Sequence, residues 1–229
     1  MGKLRIVSRS PERFKDRQEA GRLLAAELRQ LKGQNAAVLG IPRGGIVVAR
    51  ELAVALDARL DIVLSRKLRT PGQWELAMGS VAEDGKLFLN EDVIRALGIS
   101  RELIERERKL QLEEIARRAS LIRQATPRIP LEDSIVVVTD DGIATGATTQ
   151  AAISFVRRQN PKKLIVAVPV GSEDTVRELS AEVDEMLCLR VPPSFQAVGQ
   201  FYVHFEAVED EDVLRILKED AARRLAKAE

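Results

Sequence analysis

Two adjacent carboxylates, Asp140 and Asp141, close an apolar, β-branched run, Ile135-Val136-Val137-Val138-Thr139. A loop of small residues follows, Gly142-Ile143-Ala144-Thr145-Gly146-Ala147-Thr148-Thr149, and then a helix-like segment. A strand, a hydroxyl-rich turn and a helix start together make an anion cradle. The backbone N–H groups of a first helical turn have no partner inside the helix, and the dipole there favours negative charge. Threonine hydroxyls add donors without adding charge. The two carboxylates cannot bind a phosphate; they suit the diol of a sugar, directly or through a hydrated Mg²⁺. Phosphate beside a diol suggests a ribose 5-phosphate. The plain alternative, a buried strand followed by a capped helix, leaves the paired acids and the threonine set unexplained.

Rival phosphate motifs fail. A P-loop needs Gly-Lys-Ser/Thr, and Gly146 is followed by Ala147. A dinucleotide fingerprint needs Gly-x-Gly-x-x-Gly, which Gly40-Ile41-Pro42-Arg43-Gly44-Gly45 does not supply. In that second loop Gly44 and Gly45 allow close backbone approach to a ligand, and Arg43 offers a charged, forked donor. Read alone, it is equally a strand-to-helix turn with a solvent-facing arginine.

The elements that must position these groups alternate between strand and helix. Strands are expected at 36–41, 60–65, 134–139, 164–169 and 185–190. Helices are expected at 11–32, from Gly45 to Leu56, and at 101–124, 147–159, 173–181 and 210–227. Residues 66–77 read as a polar loop with a Pro71-Gly72 turn, and 78–90 as a hairpin turning at Glu83-Asp84-Gly85. The Arg-, Glu- and Leu-rich stretch 101–124 reads as one long helix with a solvated face. Alternation of this kind implies a mainly parallel sheet with helices on both faces, and ligands at the carboxyl ends of its strands. The loops at 41–45, 65–75, 140–149 and 191–200 are then the ones to watch.

The strand, both acids and the Thr145-x-x-Thr148 loop resemble the PRPP-binding motif of type I phosphoribosyltransferases. The chain is most similar to their stand-alone predicted group over most of residues 10–215. The resemblance implies an α/β fold with a mainly parallel five-stranded sheet, a hood at 191–205 and a helical insertion at 101–124, all in one domain spanning 1–229. It implies transfer of ribose 5-phosphate from Mg²⁺-PRPP to a nitrogenous base with release of pyrophosphate. Asp140 and Asp141 would hold the ribose hydroxyls, and Mg²⁺ would arrive with PRPP and touch them through water. Residues Gly142 to Thr149 would cradle the 5-phosphate. Pro42, Arg43, Gly44 and Gly45 would form the pyrophosphate loop, with a cis Pro42–Arg43 bond.

Arg66 and Lys67 resemble the start of a catalytic loop whose cations hold the leaving pyrophosphate; a bland surface pair is the alternative. Residues 66–76 would then be a mobile lid carrying Trp74, which could equally anchor locally on the sheet edge. Phe195 and Val198 would lie in the hood over the base, or simply pack. Ala144 occupies the position where hypoxanthine-guanine enzymes carry an aspartate, so no particular base is implied. The rival class is a non-catalytic PRPP or nucleotide sensor.

Composition narrows the partners. The chain has 229 residues, 45% hydrophobic, with 36 basic against 35 acidic side chains and a formal net charge of +1. No broad positive field would recruit nucleic acid, and aromatics are only 3%. The single histidine, His204, nearly excludes histidine metal clusters and His-based dyads, and the single cysteine, Cys188, sits in an apolar stretch suited to a buried inert thiol. No run reaches membrane-spanning length and no signal-peptide core opens the chain, which together suggest a cytoplasmic protein. A homodimer is compatible with these features.

Overall fold

A computed structural model describes residues 2–228, with the side chains of 73–75 and 228 outside the described set. The elements run in chain order: β1 (Lys3–Ser8), α1 (Arg17–Glu27), β2 (Ala36–Gly40), α2 (Gly45–Leu56), β3 (Arg59–Ile62), β4 (Ser65–Thr70), β5 (Gln73–Ala82) and β6 (Leu87–Leu89). They continue with α3 (Glu91–Leu97), α4 (Arg101–Ala125), β7 (Ile135–Thr139), α5 (Ala147–Arg157), β8 (Lys163–Val170), α6 (Glu173–Ser180), β9 (Glu185–Arg190) and α7 (Asp210–Ala228).

Six strands form one parallel sheet in the order β1-β9-β8-β7-β2-β3. The expected five-stranded sheet therefore gains an edge strand, β1. Lys3-Leu4-Arg5-Ile6-Val7-Ser8 carries two cations and is only partly buried, as an edge permits, so it lacks the apolar run that marks the interior strands. Those interior strands divide their side chains by the period of two. Val38, Val137, Ile165 and Leu187 face one core with α1, α2 and α7; Leu39, Val136, Val138, Val166 and Cys188 face the other with α5 and α6. Leu24 and Leu52 are fully buried in the first of these cores, and truncating either would cost about 2–5 kcal/mol. Burial pushes the Cys188 thiol up to about 12, so it is inert at neutral pH, as its sequence context implied.

The chain moves outward from β2 to β3 through α2, then restarts at β7 and moves the other way to β8 and β9. Right-handed crossovers put the two sets of helices on opposite faces. The strand order thus reverses between β2 and β7, and a crevice opens beyond their carboxyl ends.

Three local expectations change. The first helix starts at Arg17 rather than near 11, because Asp16 caps it by accepting from the Glu19 N–H at 2.7 Å. Its Leu23 is exposed, while Leu24, Leu28 and Leu31 are buried. Residues 66–77 are not a loop: β4 and β5 pair antiparallel around the Pro71-Gly72 turn, and β6 joins beyond Glu83-Asp84-Gly85. The polarity hid an alternation in which Leu68 and Thr70 are buried while Lys67 and Arg69 are exposed; Ser65, on the latter face, is buried where the strand meets α5. The lid expectation for 66–76 thus meets a hairpin, and its Trp74 side chain lies outside the described residues. The short helix α3 was also unanticipated; Asn90 caps it by accepting from the Val93 N–H. In contrast, α4 matches its expected length. It fully buries Ile104, Gln111, Ile115 and Ile122, a stripe spaced by one or two turns, flanked by half-buried residues such as Leu112 and Ala119 and backed by an exposed, largely charged face.

Candidate active site

The two loops at the reversal point are built against each other. β2 and β7 remain in register to their ends, and Ile41 N–H donates to the Thr139 carbonyl at 2.9 Å. The next peptide but one, Pro42–Arg43, is cis, as the family resemblance implies. Gly44 and Gly45 then start α2. Their dihedrals are ordinary for Gly44 (φ −61°), so its requirement is space. A Cβ on Gly44 would lie 1.9 Å from Asp141 Oδ2, and one on Gly45 would lie 2.8 Å from Asp140 Cα. The glycine pair lets the 42–45 loop lie directly on the diacid.

The diacid is half-buried and its two members are held differently. Asp140 Oδ1 accepts the Asp141 N–H at 2.8 Å. Asp141 Oδ2 accepts Arg17 Nε at 2.7 Å, and the Asp141 carbonyl accepts the Tyr202 hydroxyl at 2.6 Å. Burial raises the pKa of Asp140 well above the ordinary carboxylate range, and the neighbouring Asp141 charge adds to it. Burial also raises Asp141, but Arg17 opposes that shift. Arg17 donates a second bond from Nη1 to the Glu206 carbonyl at 2.9 Å and stacks its guanidinium 3.8 Å from the Phe205 ring centre. Neither Arg17 nor Tyr202 was expected here. Their partners lie 124 and 61 residues away in sequence, and no local motif points to them.

The cradle is fixed at both ends and open in the middle. Ile143 N–H donates to the Val170 carbonyl at 2.9 Å, and the Ala144 carbonyl accepts the Thr175 hydroxyl at 2.8 Å. Gly146 takes the left-handed conformation (φ +74°) immediately before α5, and the helix has no side-chain cap. The first N–H to bond back is that of Gln150, to the Gly146 carbonyl, so the N–H groups of Ala147, Thr148 and Thr149 have no acceptor within the helix. That is the donor set an anion requires. Thr145 is exposed, Thr148 half-buried and Thr149 buried. Two further serines grip this turn: Ser65 on β4 donates to the Thr148 carbonyl at 2.9 Å, and Ser80 on β5 to the Ala147 carbonyl at 2.7 Å.

The three expected cations divide. Arg66 turns onto α4, where Nε donates to Gln111 Oε1 at 2.6 Å and Glu114 lies 3.9 Å away. Arg43 is ion-paired with Glu209 at the start of α7. Lys67 is exposed and lies opposite Ser80 in the hairpin, on the side that meets α5. Pro42, Ser65, Arg66, Lys67, Arg69 and Thr148 help to line a cavity of about 240 Å³ between the two loops.

The hood segment crosses the same end of the sheet. Phe14 and Tyr202 form a bridge, and Val203 N–H donates to the Phe14 carbonyl. Val198 packs over Gly142, where an added Cβ would meet its methyl at 2.6 Å. Phe195 stacks on Phe201 with ring centres 5.3 Å apart, so part of its surface is used in packing.

A parallel sheet whose reversal point joins a glycine loop, a diacid and an uncapped helix start defines a phosphoribosyltransferase fold. The phosphoribosyl transferase domain family model matches residues 12–206, and the chain belongs to that family. It is 44% identical over 211 residues to the Mycobacterium tuberculosis H37Rv protein named "Putative phosphoribosyl transferase Rv0571c". That match takes in 92% of this chain and 47% of the relative, so the chain spans about half the length of the curated relatives it matches. Among solved structures it is similar to the TT1426 protein of Thermus thermophilus, with 43% identity, a TM-score of 0.76, and coverage of 90% of this chain and 98% of that one.

Proposed function

We propose that this chain transfers ribose 5-phosphate from Mg²⁺-bound PRPP to a nitrogenous base and releases pyrophosphate. The observation that carries the reading is the convergence of the 42–45 loop, the Asp140–Asp141 pair and the uncapped start of α5 on one crevice. Residues 142–149 bind the 5-phosphate through the free N–H groups and threonine hydroxyls. Asp140 and Asp141 accept from the ribose hydroxyls and stabilise positive charge as C1 becomes oxocarbenium-like. The C1–O bond breaks with its electron pair leaving on pyrophosphate, a base nitrogen bonds to C1, and the proton lost from that nitrogen passes to the released pyrophosphate.

Pro42 to Gly45, with Lys67 and Arg66, receive the pyrophosphate. Val198 and Phe195 border the base. No group of three or more acidic, His or Cys side chains forms a metal cage among the described residues. Two half-buried carboxylates do suit a hydrated Mg²⁺ delivered by its ligand, held by Asp140 and Asp141 through water. When bound, that ion neutralises charge on the leaving group. No helix among the described residues is long and apolar enough to cross a membrane, and the reading is of a cytoplasmic enzyme of nucleotide metabolism.

A sensor reading draws on one observation: Arg43 and Arg66 already have acidic or amide partners, Glu209 and Gln111. Incubation with Mg²⁺-PRPP and a panel of purine, pyrimidine and pyridine bases, followed by a pyrophosphate assay, separates the two. Release that depends on one base class supports the enzyme. Stoichiometric PRPP binding without release across the panel supports the sensor and overturns the transfer reaction.

A further inference from the structure

Two carboxylates on consecutive residues repel each other, and burial strengthens the repulsion. One cation is set against them. Arg17 at the start of α1 is only 9% exposed and meets Asp141 Oδ2 at 2.7 Å. Its position is over-determined: Nη1 is bonded to the Glu206 carbonyl, the guanidinium lies on the Phe205 ring, and Phe205 stacks on Tyr202 at 5.0 Å. Tyr202 in turn donates to the backbone of Asp141. Asp141 is thus clamped at side chain and main chain by one connected group.

The commitments leave a definite remainder. Asp140 Oδ1 is used by the Asp141 N–H and Asp141 Oδ2 by Arg17. The two carboxyls lie close enough to share a hydrogen bond with each other, and no other donor among the described residues reaches Asp140 Oδ2 or Asp141 Oδ1. We propose that Arg17 is the positioning residue of the diacid: by holding Asp141 it keeps one oxygen of each carboxylate side by side as an acceptor pair for a vicinal diol. Arg17 does not touch the sugar and acts through Asp141. This rests on the reading of the crevice as a ribose 5-phosphate site, and it adds a specificity element supplied by the N-terminal helix and the end of the hood segment.

The test compares ribose 5-phosphate with 2-deoxyribose 5-phosphate by calorimetry without metal, alongside melting temperatures. The two ligands share the phosphate and differ in one hydroxyl, so their affinity ratio reads the diol contact alone. Wild type is expected to prefer ribose 5-phosphate by about tenfold or more, as for a hydrogen bond to a charged acceptor. Arg17→Met keeps apolar contact with Phe205 but removes the charge, and is expected to bring the ratio close to one. Arg17→Lys restores charge without the fork and should recover part of it.

Asp141→Asn on the Arg17→Met background relieves the uncompensated carboxylate. It should raise the melting temperature while leaving the ratio where Arg17→Met put it. A wild-type ratio in Arg17→Met, with or without a lower melting temperature, overturns the proposal, because a purely structural role predicts that outcome. Independent, multiplying effects of the two substitutions on the ratio overturn it as well. If the wild-type chain binds neither sugar phosphate, the ribose 5-phosphate reading itself fails, and this proposal with it; that outcome is seen before any variant is made.

Discussion

The Ser80 hydroxyl on β5 donates to the Ala147 carbonyl at 2.7 Å, tying the β4–β5 hairpin to the first turn of α5. Ser65 repeats the contact one residue along, to Thr148. The strand that carries Lys67 is therefore fixed at its base to the helix start that would receive the phosphate. Each carbonyl also faces its ordinary acceptor role inside α5, so losing the serine leaves no orphaned acceptor.

Ser80→Ala should consequently lower stability by about 1 kcal/mol, and Ser65→Ala by a similar or smaller amount, the net worth of a protein hydrogen bond. Chemical denaturation reads both. A neutral Ser80→Ala would mean that the hairpin is not held by this bond.

Gly44→Ala tests the packing of the loop on the diacid. The added methyl collides with Asp141 Oδ2 and lies 2.9 Å from Arg17 Nε, although alanine readily adopts the backbone angles of this residue. The variant is expected to melt lower than wild type, because it disturbs the Arg17–Asp141 pair, yet to fold, and affinity for Mg²⁺-PRPP should fall at least about tenfold through displacement of the diacid. Wild-type affinity in this variant would show that the close packing of the two loops is not needed for binding.

Glu114 gives a pH-dependent signature of how α4 is held. Its hydrogen bond with Arg117, reinforced by Arg118 and Arg66, brings its carboxyl down to about 2. A carboxylate with a depressed folded-state pKa contributes stability that is fully present above its unfolded value near 4.3 and is lost as pH falls towards 2. The stability difference between wild type and Glu114→Gln should therefore be constant from pH 7 to about 5 and shrink steadily below that. A difference that grows as pH falls would contradict the assignment.

Much of the site was legible because its signals are local. β7, the acids, the cradle and the start of α5 are contiguous, and the glycine loop follows β2 directly, so strand-loop-helix chemistry could be read residue by residue. The edge strand β1 and the β4–β5 hairpin escaped because charged and hydroxyl side chains masked their alternation. Arg66 lines the cavity beside Lys67 and Thr148, but its bond to Gln111 on α4 was not foreseen, because no local pattern discloses the position of that element. Arg17 and Tyr202 were missed for the same reason. Their roles arise only when the N-terminal helix and the end of the hood segment converge on Asp141, and such long-range pairing leaves no periodic trace.

The central claim is that the diacid and the cradle form a PRPP site. Calorimetric titration of Mg²⁺-PRPP into wild type and into the Asp140→Asn, Asp141→Asn double variant tests it most directly. The account predicts saturable, one-to-one binding to wild type, and affinity reduced by about a hundredfold or more in a variant that melts as a folded protein. Equal affinity in the two proteins would contradict it.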